Sequence, residues 1–202
     1  MISLVVLAAG KSTRMKENKL LLPVDGETLI EHVVKTATRS SVDEVVVVLG
    51  FEADRIKQRI GQLDCRPVVN DRYEVGQSES VKVGLSAVSD EAEAIMILPA
   101  DVALVDSQSI NKVIEEYRKS RTSIVIASHR GQSGHPILLD RSLFAQVSKI
   151  DEASLGLKAV INRHRSEVTY VDVDNDNVLI DIDTQEEFNR YFPQAAYSPK
   201  PT

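Results

Sequence analysis

The densest chemistry in the chain lies just after its first apolar run: Leu7, Ala8, Ala9, Gly10, Lys11, Ser12, Thr13, Arg14 and Met15, with Lys19 close behind. Small residues let a backbone approach a ligand and turn its N–H groups toward an anion, and Arg14 and Lys19 add full positive charges beside them. The segment reads as a cradle for a triphosphate; the alternative is a plain strand-to-helix loop. It is not a Walker A loop, because that motif requires a glycine where Val5 stands in the middle of an apolar run.

Asp101 follows the apolar stretch Ile95 to Leu98 across Pro99 and Ala100. A carboxylate placed there can hold Mg²⁺ together with phosphate oxygens. Capping of the next helix does not require it, since Asp106 and Ser107 already supply that. A second oxygen ligand would come from Asp181 or Asp183, which flank Ile182 on a short extended segment, where alternation puts both carboxylates on one face. Gly76, Gln77, Ser78, Glu79 and Ser80 precede a helix containing Gly84; they suit a nucleobase edge and ribose, or simply cap that helix. Gly131, Gln132, Ser133, Gly134, His135 and Pro136 form a flexible turn feeding a strand. His135 there would bind an acceptor or move a proton, or serve only as a turn residue. A serine hydrolase is disfavoured, because Gly76 to Ser80 and Gly131 to Gly134 each miss the GxSxG elbow by one position.

Short β-branched runs alternate with amphipathic stretches along the chain, the pattern of a mostly parallel sheet covered by helices on both faces. Strands are expected at Ile2 to Leu7, Glu44 to Leu49, Arg66 to Val69, Ala94 to Leu98, Ser123 to Ala127, Pro136 to Leu139 and Val168 to Val171. Helices are expected at Thr28 to Thr38, Glu52 to Ile60, Ser78 to Val88, Ser107 to Lys119, Arg141 to Val147, Leu155 to Arg163 and Thr184 to Tyr191. Thr184 followed by Glu187 is a capping box for the last of these. Ligands of open α/β sheets sit at the carboxyl ends of strands, where the basic loop and Asp101 both fall.

A chain of 202 residues with 43% hydrophobic content supports one sizeable core, read as one domain over 1–192 with a frayed tail over 193–202. The net charge of −6 does not suit nucleic acid or an anionic membrane. A single cysteine, Cys65, can form neither an internal disulfide nor a Cys-based zinc site, so a reducing, cytoplasmic setting is expected. The run ending in Ala8, Ala9 and Gly10 lacks a preceding basic residue and is not read as a secretion signal. The longest aliphatic run, Val45 to Leu49, is far short of the roughly 20 residues of a membrane span. Charge is uneven along the chain. Lys11, Arg14, Lys16 and Lys19 face only Glu17 over residues 8–19, while residues 172–187 hold seven acids and no Lys or Arg. A basic loop and an acidic segment at one crevice would suit a triphosphate with its metal ion; the alternative is two solvated loops.

Taken together, these segments resemble the MobA-like nucleotidyltransferase family, most closely its molybdenum cofactor cytidylyltransferase branch. The family's LAAGxSxRMGxxKLLLP is matched from Leu7 to Pro23 at every fixed position but one, where Lys16 replaces glycine. Its Asn, Gly, Ser and SVxxGL-like stretch is matched by Asn70, Gly76, Ser78, Ser80, Val81, Gly84 and Leu85, and its metal aspartate by Asp101. Gly134, His135 and Pro136 match the GHP turn, and Asp181 to Glu186 match the closing DIDTPE with Gln185 in place of proline. The GDxGAR segment departs further: Ser154 stands for the acid and Lys158 for the arginine, and Lys does not reproduce a bidentate guanidinium grip. Val102 and Ala103 also replace the residues usual after the metal aspartate.

The resemblance implies a three-layer, Rossmann-like α/β fold and transfer of CMP from CTP to the terminal phosphate of molybdopterin, with release of pyrophosphate. It implies nucleotide binding by Leu7, Ala8, Ala9, Gly10, Arg14, Lys19, Asn70, Gly76, Gln77 and Ser80, and catalysis by Arg14, Lys19 and Asp101. Mg²⁺ would be held by Asp101 and Asp183, and the acceptor by His135 and Lys158. The product would pass to a molybdenum hydroxylase or its chaperone. Three further readings remain: a GTP-using molybdenum cofactor guanylyltransferase, a sugar-1-phosphate or other small-acceptor nucleotidyltransferase with the same donor half, and a non-catalytic nucleotide-binding accessory protein for a molybdenum hydroxylase. A glycosyltransferase with a DxD motif fits the same architecture, but none of the Asp-x-Asp pairs at 172–176 or 181–183 follows a central strand as Asp101 does.

Overall fold

A computed structural model describes residues 1–15 and 17–193. The expected tail beyond Pro193, and Lys16, lie outside the described residues. Among the described residues nine strands run in the order β1 (Ile2–Ala8), β2 (Pro23–Val24), β3 (Glu27–Thr28), β4 (Glu44–Leu49), β5 (Arg66–Val69), β6 (Ala94–Pro99), β7 (Ile124–His129), β8 (Gln132–Asp140) and β9 (Val168–Asp172). Helices are α1 (Leu29–Thr38), α2 (Ala53–Ile60), α3 (Gln77–Ala87), α4 (Ser107–Ser120), α5 (Phe144–Val147), α6 (Leu157–Arg163) and α7 (Gln185–Tyr191).

Seven strands form one sheet in the order β5-β4-β1-β6-β8-β7-β9. All neighbours are parallel except β8, which runs antiparallel between β6 and β7. Strand alternation divides the core. Ile2, Leu4, Val6 and Ala8 of β1 pack with Leu29, Val33, Ile56, Ile110 and Phe188, which come from α1, α2, α4 and α7. Val5 and Leu7 face the other way, onto Val81, Val147 and Val160 of α3, α5 and α6. Two buried faces explain why β1, β4 and β6 read as unbroken apolar runs rather than as alternating strands. The expected three-layer α/β architecture is the one found.

Differences lie where turn chemistry or packing rules. The segment from Gly131 is not a flexible turn: Arg130 and Gly131, both at positive φ (49° and 81°), make a two-residue hairpin, and Gln132 already belongs to β8. A second hairpin, β2 with β3, turns through Asp25 and Gly26 at φ 46° and 86°; its Asp-Gly pair is a signal the sequence carried. Arg141 to Leu143 is a 3₁₀ turn ahead of a short α5, and α6 starts at Leu157 because Leu155 and Gly156 adopt positive φ. The seven acids of 172–187 do not gather into one patch. Asp172 accepts a hydrogen bond from the Arg130 amide and Asp174 pairs with Lys112, whereas Asp183 turns inward.

Candidate active site

Strand order reverses about β1, since the chain moves from β1 to β4 on one side and later to β6 on the other. The carboxyl ends of β1 and β6 therefore bound a crevice, the usual ligand position of an open α/β sheet. The loop of residues 9–18 leaves β1 there, and Pro99, Ala100 and Asp101 leave β6 beside it, with the Ala100 amide donating to the Leu7 carbonyl at 3.0 Å. A third segment is tied in by the Ile182 amide, which donates to the Asp101 carbonyl at 2.9 Å. Ile182 is fully buried, so its two acidic neighbours are carried to the crevice rim.

Lys19 opens a 3₁₀ turn (Lys19–Leu21) capped by Asn18, whose side chain accepts from the Leu20 amide at 3.1 Å. Ser12, at φ 52°, folds its hydroxyl back to accept from the Lys19 amide at 3.3 Å. The Lys19 ammonium is thereby aimed inward, 2.9 Å from Asp101 Oδ2 and 3.0 Å from Asp183 Oδ1. Arg14 reaches the other oxygen of Asp183 at 2.8 Å. Partial burial alone would raise the Asp183 carboxyl, but the Lys19 hydrogen bond and the charges of Lys19 and Arg14 hold it below the usual carboxylate range. Asp181 goes the other way: burial, then the nearby charges of Asp101 and Asp183, push it up. Arg14, Lys19, Asp101 and Asp183, with Gly10, Thr13 and Leu7, line a cavity of about 220 Å³, which Asp181 does not reach.

Asp183 is positioned by the start of α7. Its amide and that of Thr184 both donate to the Glu187 carboxylate, at 2.9 and 2.8 Å, and Thr184 caps the helix by accepting from the Glu187 amide at 3.2 Å. Replacing Thr184 with Ala is expected to destabilise the fold by about 1 kcal/mol. A urea titration that moved the midpoint with unchanged slope would show this; an unmoved midpoint would deny the cap its role.

A larger cavity of about 510 Å³ adjoins the first and shares Leu7 with it. Gln77 and Ser78 at the start of α3 line it, with His135 from β8, Lys158 from α6, and Glu152, Leu155, Tyr170 and Asp181. The His135 Nδ1 atom is buried with no hydrogen-bond partner among the described residues. Burial pushes the imidazole pKa down against the opposing pull of Asp101 and the Ile97 backbone, so the ring is neutral near pH 7 and can accept through one nitrogen.

The structure thus brings Leu7, Gly10, Arg14, Lys19, Asp101 and Asp183 to one cavity, and Gln77, His135 and Lys158 to its neighbour. It does not bring Asn70 and Ser80 to either. Both are buried, and the Asn70 amide donates to the Ser80 hydroxyl at 3.0 Å, a bond that fixes the path from β5 to α3. Ala8 and Ala9 are buried in the loop's base, where the Ala9 carbonyl accepts from the Phe51 amide at 3.1 Å. Gly76, at φ 141°, lies against Glu152, so that a Cβ there would stand 2.3 Å from the Glu152 side chain.

Glu152 itself went unrecognised in the sequence. Its carboxylate accepts from the Ser78 amide at 2.5 Å, which satisfies the exposed start of α3. No local motif marks it, because its partner is 74 residues away. Among the described residues there is no group of three or more His, Cys, Asp or Glu arranged to hold a metal ion. Asp101 and Asp183 form a pair of hard oxygen donors, a set that fits a divalent cation whose remaining ligands are phosphate oxygens and water.

A family model described as the MobA-like NTP transferase domain matches residues 4–168. The chain is similar to the bifunctional protein GlmU of Bacillus subtilis (strain 168), with 30% identity over 152 residues that make up 73% of this chain and 33% of that protein. It therefore spans about a third of the length of this curated relative. Among solved structures it is similar to a nucleotidyl transferase from Methanothermobacter thermautotroptrophicus (Mth528), with 25% identity, a TM-score of 0.83, and 96% and 97% of the two chains covered. It also shares its fold with Rv0371C from Mycobacterium tuberculosis H37Rv solved in complex with manganese, with 24% identity, a TM-score of 0.78, and 95% and 98% coverage. No helix among the described residues is long and apolar enough to cross a membrane.

Proposed function

Because the chain belongs to the MobA-like NTP transferase family, we propose that its two adjoining cavities hold donor and acceptor of a nucleotidyl transfer: CTP in the smaller, and the terminal phosphate of molybdopterin in the larger. One observation carries this reading. A cavity walled by Arg14, Lys19 and two carboxylates opens beside a roomier one holding His135 and Lys158, and Leu7 belongs to both walls. Reacting groups held on either side of one residue have little freedom left to lose.

A phosphate nucleophile arrives already ionised, so no general base is required, and catalysis rests on positioning and charge neutralisation. Gly10 and Thr13 let the triphosphate lie close to the backbone, and Arg14 and Lys19 balance negative charge as pyrophosphate leaves. Asp101 and Asp183 would hold Mg²⁺, which when bound supplies charge neutralisation on the phosphate oxygens. The manganese in the Rv0371C structure supports a divalent ion at such a fold. Gln77 borders both the start of α3 and the larger cavity, where the nucleotide's sugar and the acceptor would meet. The choice of CTP rests on the family resemblance, through Ala9 in the opening loop. On this reading the product is handed to a molybdenum hydroxylase or its chaperone.

A second acceptor class is favoured by a specific feature. Glu152 and Asp181 line the larger cavity along with Lys158, and their carboxylate oxygens would suit the hydroxyl groups of a sugar 1-phosphate. One experiment separates the readings: thermal stabilisation by each of the four NTPs with Mg²⁺, followed by a pyrophosphate-release assay with molybdopterin or with a panel of sugar 1-phosphates. Selective stabilisation by CTP and release with molybdopterin is the expected result; stabilisation by GTP alone, or turnover only with a sugar phosphate, would replace it. Lys158→Ala is expected to raise the acceptor KM about three- to tenfold, since Lys158 is exposed and its pairing screened, with the NTP KM unchanged. Steady-state kinetics with each substrate varied in turn would measure this, and equal losses for both would remove Lys158 from the acceptor side.

A further inference from the structure

Lys19 is only 9% exposed, and its ammonium has two carboxylates for company. Arg14 takes the remaining oxygen of Asp183, so three of the four carboxylate oxygens on Asp101 and Asp183 already bond to a protein cation. Those are the same oxygens that a divalent ion would need, and the same two side chains that a triphosphate would need. Both demands cannot be met in the arrangement seen.

From this conflict, and resting on the proposed donor site, we infer that Lys19 and Arg14 are exchangeable counter-ions which couple the binding of the cation to that of the triphosphate. The exchange conserves charge balance. Lys19 and Arg14 release Asp101 and Asp183 and turn to phosphate oxygens, while the carboxylates take up the cation. A divalent ion arriving alone must displace a buried, paired ammonium, and leave it unpaired, which is costly. A triphosphate arriving alone finds its two cations committed to carboxylates. Each ligand therefore binds weakly alone and strongly in the other's presence, with the same coupling factor in both directions, typically about 5- to 150-fold. The flexible four-carbon stem of lysine suits a side chain that must move between two partners.

Two binding measurements test this without turnover. In the first, Mn²⁺ is titrated alone and followed by its paramagnetic resonance signal. Lys19→Met should bind Mn²⁺ about fivefold or more tightly than the unaltered protein, and Arg14→Met should move the same way by less. Arg14 is largely exposed, so its variant keeps the test available if Lys19→Met does not fold. Lys11→Met, on the same loop but paired with Glu74, controls for the general loss of positive charge and should change little. In the second, inorganic tripolyphosphate is titrated by calorimetry in the presence of a chelator. Asp183→Asn should tighten this metal-free binding about fivefold or more, by freeing Arg14 and leaving Lys19 with Asp101 as its one carboxylate partner.

Unchanged Mn²⁺ affinity in both Lys19→Met and Arg14→Met, an equal gain in Lys11→Met, or metal-free tripolyphosphate binding that Asp183→Asn leaves unaltered or weakens, would overturn the counter-ion exchange. Failure of tripolyphosphate to bind under any condition, with metal or without, would overturn the donor site itself. Neither outcome depends on the base or the acceptor.

Discussion

Asp101→Ala is expected to lower kcat/KM for pyrophosphate release by about three orders of magnitude, with the melting temperature shifted by no more than a few degrees. Removal of one preorganised charge-stabilising group from an active site typically costs about 10²- to 10³-fold, and on the proposed reading the loss of a metal ligand would add to this. The fold should survive, because the Asp101 side chain is partly exposed and packs into neither core cluster. What ties the 181–183 segment to β6 is the Asp101 carbonyl, which the substitution keeps. Lys19 retains Asp183 as a partner. Paired measurements of pyrophosphate release and thermal unfolding decide the matter: activity within tenfold of the unaltered protein would remove Asp101 from the chemistry, and a collapsed melting curve would make its role structural.

Gly134→Ala should produce the largest loss of stability among the glycine positions around the site, about 3 kcal/mol, or roughly 6–12 °C in Tm for a chain of this size. A Cβ at Gly134 would stand 2.1 Å from the Val178 carbonyl oxygen and 2.7 Å from its carbon. Both partners are main chain and both are held: Gly134 lies within β8, and Val178 in a 3₁₀ turn (Asp176–Leu179) capped by Asn175. Relief must come from pushing that turn away from the sheet, and the turn leads directly into Asp181 and Asp183. Activity should therefore fall together with stability. Gly10→Ala is the useful comparison, because nothing stands within 4 Å of its would-be Cβ, and stability should hardly change. Differential scanning calorimetry of the two variants would test the argument. Equal Tm values for both would mean that the strand and turn yield freely, and the close approach would lose its significance.

Much of the architecture was legible because it is encoded locally. Parallel strands buried on two faces announce themselves as unbroken runs such as Val45 to Leu49, and the Thr184–Glu187 box and the Asp106 cap mark helix starts within three residues. The Asp25–Gly26 hairpin is equally local, set by one Asp-Gly pair at positive φ. Gly134 is a different case: its necessity comes from a carbonyl 44 positions on, and a turn-like sequence concealed a strand. Asn70 and Ser80 show the converse. Their types and spacing suit a ligand, yet they are satisfied by each other, and only their burial reveals it.

Taken by itself, the sequence determined the alternation of strand and helix, the small-residue loop after β1, the spare acid after β6, and hence the end of the sheet at which the proposed site lies. Tertiary structure decided how those parts meet. Lys19 lies 82 residues from Asp101 and 164 from Asp183, and no pattern within one segment could place an ammonium between them. Periodicity and capping act over a few residues and leave their mark on neighbouring letters. Ion pairs and cavity walls depend on which strands the sheet sets side by side, and that emerges only when two faces of apolar residues are buried at once.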